Sequence, residues 1–243
     1  MITPRERLIV ALDVSSSTDA QRIVTNLGDS VRIYKVGMQL YTAEGPQVVR
    51  DLVASGRRVF LDLKYHDIPN TVAAAVREAA QLGVSMLTVH TSGGTKMLRA
   101  AAEAAHVDAT AYAESGLKVL AVTVLTSMDE QDLSEIGVQT PLRDQVVRLA
   151  SLALQAGCHG VVSSAQEARA LRGQLGSDFL VVTPGVRPAG AAHGDQARVV
   201  TPAEAFASGA THIVVGRPIT AAKNPAIAAD QILQELESTA TER

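Results

Sequence analysis

Short runs of β-branched and other apolar residues alternate along the chain with longer stretches whose apolar positions recur every three or four residues. The runs are Leu8–Asp13, Arg32–Gly37, Arg58–Lys64, Met86–Thr91, Lys118–Thr126, Gly160–Ser164, Phe179–Gly185 and Thr211–Arg217. Their starts lie mostly ~20–40 residues apart, the length of a strand–helix–strand unit. Between them, Thr71–Leu82, Lys96–Glu114, Leu142–Ala156 and Ala165–Leu175 have helical spacing and composition. Several such stretches stop at a glycine just before the next run, as at Gly56, Gly83, Gly157 and Gly209. Eight units with no linker and no change of composition predict an α/β fold, a (β/α)8 TIM barrel in which residues 1–243 form a single domain. The alternative is an open doubly wound sheet. Its Gly-rich first turn is missing, because Asp13-Val14-Ser15-Ser16-Ser17-Thr18 carries no G-x-G-x-x-G.

Composition narrows the function. Of 243 residues, 47% are apolar and 19% charged, which is enough to bury one large core. The net charge of −3, the 3% aromatic content and the lack of Trp all argue against a nucleic-acid partner. The single cysteine, Cys158, excludes an intrachain disulfide and multi-cysteine zinc sites, and reads as a small buried hydrophobe. Near the N-terminus the apolar run Leu8–Leu12 is too short for a signal-peptide core or a membrane span. The expected location is cytoplasmic, away from membranes.

A barrel places its chemistry at the C-terminal ends of the strands. There the chain carries Asp13, Lys35, Asp62-Leu63-Lys64, His90, Thr126-Ser127, Pro184-Gly185-Val186-Arg187 and Gly216-Arg217. Residues two apart on a strand share a face, so Asp62 and Lys64 should point the same way. Asp13, Lys35, Asp62 and Lys64 fall on three consecutive strands and are expected at one level. A single Asp–Lys pair is often a plain ion pair. Four alternating charges at the mouth of an apolar barrel are costly unless paired, and a purely structural barrel would place Val, Ile or Leu there.

The segment Asp62-Leu63-Lys64-Tyr65-His66-Asp67-Ile68-Pro69-Asn70-Thr71 resembles the signature of the orotidine 5′-phosphate decarboxylase family. Ala11-Leu12-Asp13, Lys35-Val36-Gly37, Leu125-Thr126-Ser127, Thr183-Pro184-Gly185-Val186-Arg187, Gly194-Asp195-Gln196 and Val215-Gly216-Arg217-Pro218 follow in the family's order. The resemblance runs from about Leu8 to Pro225.

The resemblance implies removal of CO2 from C6 of orotidine 5′-phosphate, with no metal and no cofactor. It makes Lys64 the cation beside the C6 carbanion and the proton donor that quenches it. Asp62 and Asp67 hold the ammonium form, and Asp62 also faces the substrate carboxylate. Asp13 and Lys35 grip the ribose and complete the charge network. Thr126 and Ser127 meet the pyrimidine edge, Arg187, Gln196, Gly216 and Arg217 form the phosphate site, and Pro184 counts among the substrate-binding residues. Asp67 and Thr71 reach a neighbouring subunit's site, which implies a homodimer with shared active sites, and Ile68 counts among the substrate-binding residues.

The glycine- and alanine-rich stretch between Arg187 and Thr201 reads as a lid carrying Gln196, with His193 a loop residue. His66 reads as a packing or supporting group, and His90 lies beside the site. Residues Glu235–Arg243 read as a frayed end without function. Two rivals remain: a Mg2+-dependent phosphosugar decarboxylase or aldolase on the same D-x-K-x-x-D, and a non-catalytic phosphate-ligand barrel. The first needs a carboxylate where this chain has Lys35, and the second would be expected to lose Lys64 or a carboxylate neighbour.

Overall fold

Parallel strands buried on both faces need nearly continuous apolar sequence, and the eight runs supply it. In the computed structural model, which describes residues 3–107, 116–188 and 200–241, they become β1 Leu8–Ala11, β2 Ile33–Gly37, β3 Arg58–Tyr65, β4 Met86–His90, β5 Lys118–Val122, β6 Gly160–Val162, β7 Leu180–Thr183 and β8 His212–Val215. Each pairs in parallel with the next, and β8 pairs with β1 to close the barrel. The open-sheet alternative is thereby excluded.

The helices between them are α1 Ser17–Leu27, α2 Met38–Glu44, α3 Gln47–Ala54, α4 Pro69–Gln81, α5 Gly94–Val107, α6 Glu130–Glu135, α7 Leu142–Gln155, α8 Ala165–Leu175, α9 Pro202–Ala207, α10 Arg217–Thr220 and α11 Pro225–Thr241. Helix starts are capped by short oxygen-bearing side chains: Ser16 accepts from the Asp19 N–H, and Asp129 from Gln131 and Asp132. Gly83 and Gly157, at φ +79° and +93°, turn the chain from helix to the next strand. The predicted helix Lys96–Glu114 starts two residues earlier, at Gly94, and its last part falls outside the described residues.

Two apolar clusters follow from strand alternation. Ile9, Ala11, Ile33, Phe60, Met86, Leu120, Val182 and Val214 point into the lumen and fill it below the mouth. Leu8, Val10, Tyr34, Leu61, Leu87, Val89 and Val181 face outward against the helices. Cys158 is buried, and burial pushes its thiol up to about 12, in keeping with an inert packing residue.

The C-terminal expectation is corrected. α11 continues to Thr241, Leu236 is buried, and the Glu235 carboxylate accepts the Ala203 N–H at the start of α9. Among its described side chains Glu237 meets solvent while Leu236 packs inward.

Candidate active site

The C-terminal mouth of the barrel opens into a cavity of about 510 Å3. Its floor is apolar: Ala11, Phe60, Val162 and Val214. Asp13, Lys35, Asp62 and Lys64 form one wall, while Arg187, Gly216 and Arg217 line the cavity with Pro184 and Gly185. Thr126 also lines it. The charged wall and the guanidinium groups therefore share one space above a dry base.

The four charges make a chain of contacts. Lys64 Nζ lies 2.9 Å from Asp62 Oδ1, and Lys35 Nζ lies 3.8 Å from Asp62 Oδ2. The same Lys35 ammonium donates to Asp13 Oδ1 at 2.9 Å. Asp62 and Lys35 are deep, with side chains 15% and 12% exposed, whereas Asp13 at 57% faces solvent. Opposite charges in alternation are what make the burial tolerable.

The expectation of one level is corrected by the register. Lys35 pairs with Ala11 on one side and Phe60 on the other, whereas Asp62 pairs with Gly37. The strands of a closed barrel are staggered, so equal distance from a strand end is not equal height. Lys35 starts a layer lower and reaches up with its four-carbon stem. Gly37 makes room: a Cβ there would lie 2.9 Å from Lys35 Nζ and 3.6 Å from Asp13 Oδ1.

Alternation of faces holds on β3, since Asp62 and Lys64 both line the cavity while Leu63 and Tyr65 pack outward, but the pairing around Lys64 is irregular. The β3–β4 pairing passes from Leu61↔Leu87 to Tyr65↔Val89, so Asp62, Leu63 and Lys64 face only Thr88. Lys64 takes φ +53°, the only positive value at a non-glycine among the described residues. A bulge of this kind re-aims a side chain. Lys64 and Asp62 share the cavity face across it and meet there in an ion pair. Thr88, which sequence reasoning passed over, donates its hydroxyl to Asp62 Oδ1 at 3.0 Å and accepts the Lys64 N–H at 2.9 Å.

The remaining expected residues are distributed as follows. Arg187 is buried, and burial together with the nearby Arg217 charge lowers its pKa. Ser127 is exposed and outside the cavity lining. Asp67 and Ile68 on the turn into α4, and Thr71 in its first turn, are exposed and do not line their own chain's cavity, Ile68 being 66% accessible. There Asp67 Oδ1 accepts the Ile68 N–H at 2.6 Å. Gln196, His193 and the stretch read as a lid lie outside the described residues. His90 stands 5.6 Å from His66, ring to ring, and bonds Ser92 through Nδ1 at 3.0 Å. Burial, then the charges of His66 and Lys64, lower its pKa. Gln39, which nothing in its local sequence marked, also lines the cavity, as does Leu125 of the Leu125-Thr126-Ser127 segment.

A closed parallel barrel with paired charges and two arginines at its C-terminal mouth is the architecture of a (β/α)8-barrel enzyme. Residues 6–232 match the model of the orotidine 5′-phosphate decarboxylase / HUMPS family. The chain belongs to that family. It is 52% identical over 232 residues to an orotidine 5′-phosphate decarboxylase of Geotalea daltonii, with 96% of each chain covered. It is 54% identical to that of Halorhodospira halophila, with 95% of each covered. Among solved structures it is similar to orotidine 5′-phosphate decarboxylase from Lactobacillus acidophilus. The TM-score is 0.84 at 40% identity, covering 94% of this chain and 97% of the other.

Proposed function

We propose that the protein decarboxylates orotidine 5′-phosphate to uridine 5′-phosphate and CO2, the last step of de novo UMP synthesis, without metal or cofactor, and that residues 1–243 form one cytoplasmic catalytic unit. The observation that carries this reading is Lys64 Nζ held against Asp62 at 2.9 Å at the edge of a cavity that Arg187 and Arg217 also line. No helix among the described residues is long and apolar enough to cross a membrane.

In this reading the bond from C6 to the carboxylate breaks and its electron pair stays on C6. The ammonium of Lys64 faces that pair, lowers its energy, and then gives it a proton; water returns a proton to the amine. Asp62 keeps the cation aimed. It also stands near the departing carboxylate, where two like charges ~4 Å apart repel by ~4 kcal/mol at an effective dielectric of ~20. That repulsion is relieved as CO2 leaves and makes a minor contribution. Asp13 and Lys35 take the ribose hydroxyls, and Thr126, which lines the cavity, takes the pyrimidine edge with Ser127 beside it outside the lining. Arg187, Arg217, Gly216, Pro184 and Gln196 take the phosphate end, where a guanidinium fork matches phosphate geometry.

Asp67 and Thr71 are assigned to the site of a second copy in a homodimer, with Ile68 between them a substrate-binding residue. Their exposure beside, and not inside, their own cavity supports this. The Lys35 ammonium, which occupies the strand-two position, speaks against a Mg2+-dependent phosphosugar enzyme, since it would repel the cation.

The test is the loss of orotidine 5′-phosphate absorbance with purified protein in excess chelator. Full turnover is expected. Activity lost with chelation and restored by Mg2+ would point to the phosphosugar class, and nucleotide binding with no turnover to a non-catalytic barrel.

A further inference from the structure

We propose that Thr88 is a positioning residue for the reacting lysine, an inference that rests on the decarboxylase reading above. Thr88 sits on β4 one layer above Met86, between the apolar floor and the charged wall, and is fully buried. Three residues of β3 face it alone. The β3–β4 register shifts there, and the Thr88 hydroxyl accepts the Lys64 N–H at 2.9 Å in place of a carbonyl.

A threonine hydroxyl has one proton to give and lone pairs to receive with. Its proton goes to Asp62 Oδ1 at 3.0 Å, the same oxygen that receives the Lys64 ammonium at 2.9 Å. Thr88 thus ties together the main chain of Lys64 and the carboxylate that aims its side chain. A left-handed conformation at a non-glycine persists only where its surroundings enforce it. Here one hydroxyl enforces it and sets the Asp62 rotamer as well. No contact of Thr88 with the cavity is required, because it acts through Lys64 and Asp62.

Thr88→Val keeps the shape and removes the hydrogen bonds, leaving a buried N–H and a carboxylate oxygen each without this partner. Arg187 and Arg217 still line the cavity, so ground-state binding should survive. The expected result is a roughly thirtyfold or greater fall in kcat with KM within about threefold of wild type, the pattern of an interaction realised in the transition state. Thr88→Ser, which keeps the hydroxyl, should return kcat to within about fivefold of wild type. If the valine variant fails to fold, Thr88→Cys replaces it in the comparison, since its size matches serine and its thiol is a weak hydrogen-bonding group.

A hydroxyl-free or thiol variant that folds and turns over like wild type overturns the assignment, as does a serine variant no better than valine or cysteine. Wild-type protein inactive on orotidine 5′-phosphate would instead overturn the decarboxylase reading itself.

Discussion

The Lys35 ammonium fills the space that a side chain on Gly37 would occupy, 2.9 Å from where its Cβ would stand. Gly37 has φ −97°, which any residue adopts, so the glycine is needed for room and not for backbone freedom. Gly37→Ala should therefore fold normally while displacing the ammonium from Asp13 and Asp62. A loss of about tenfold in kcat/KM with a melting temperature within ~2 °C of wild type is expected. Unchanged kinetics would mean that Lys35 adjusts freely and its position is not critical.

Lys64→Ala removes the proposed proton donor but none of the phosphate contacts. Turnover should drop to background while uridine 5′-phosphate still raises the melting temperature, as a ligand that binds only the folded state does. Near-normal turnover would take the proton transfer away from Lys64.

Arg217→Ala tests the far end of the cavity. Substrate KM should rise strongly and kcat/KM should fall by roughly a hundredfold, because phosphate binding energy also serves the transition state. A kcat/KM equal to wild type would place Arg217 outside the substrate's reach.

Asp67 can be tested by mixing subunits. Lys64→Ala and Asp67→Asn homodimers should each be nearly inactive. A mixed dimer has one site with both defects and one with neither, so random exchange of equal amounts should restore roughly a quarter of wild-type activity. If both variants fold and exchange yet recover nothing, Asp67 acts in its own chain.

His212, buried at the start of β8, has its pKa lowered to about 4 by burial, then by Arg58 and Arg7. The unfolded chain takes up this proton near pH 6.5, before the folded one does, so this contribution to stability is fully present above pH 6.5 and lost as pH falls toward 4. Chemical denaturation across that window should show stability declining with acid, and His212→Asn should flatten the decline. An unaltered slope would assign the acid sensitivity to other groups.

Much of this protein follows from local order along the chain. Eight apolar runs at regular spacing predict a parallel sheet covered on both faces, the missing Gly-rich first turn favours the barrel over the open sheet, and residues such as Phe60 and Met86 fall into the lumen by alternation. The residues of the charged wall were legible for the same reason, since strand ends are local features and Asp62-Leu63-Lys64 is contiguous. Their heights were not, because stagger is a property of the closed sheet and no single strand contains it. Nor was the bulge that gives Lys64 its φ of +53°, nor the Thr88 hydroxyl 24 residues away that receives its N–H. In sequence Thr88 is one β-branched residue among many in a buried strand. Only the pairing of β3 with β4 leaves a backbone donor opposite it with no carbonyl to meet, and that pairing is decided by the whole barrel at once.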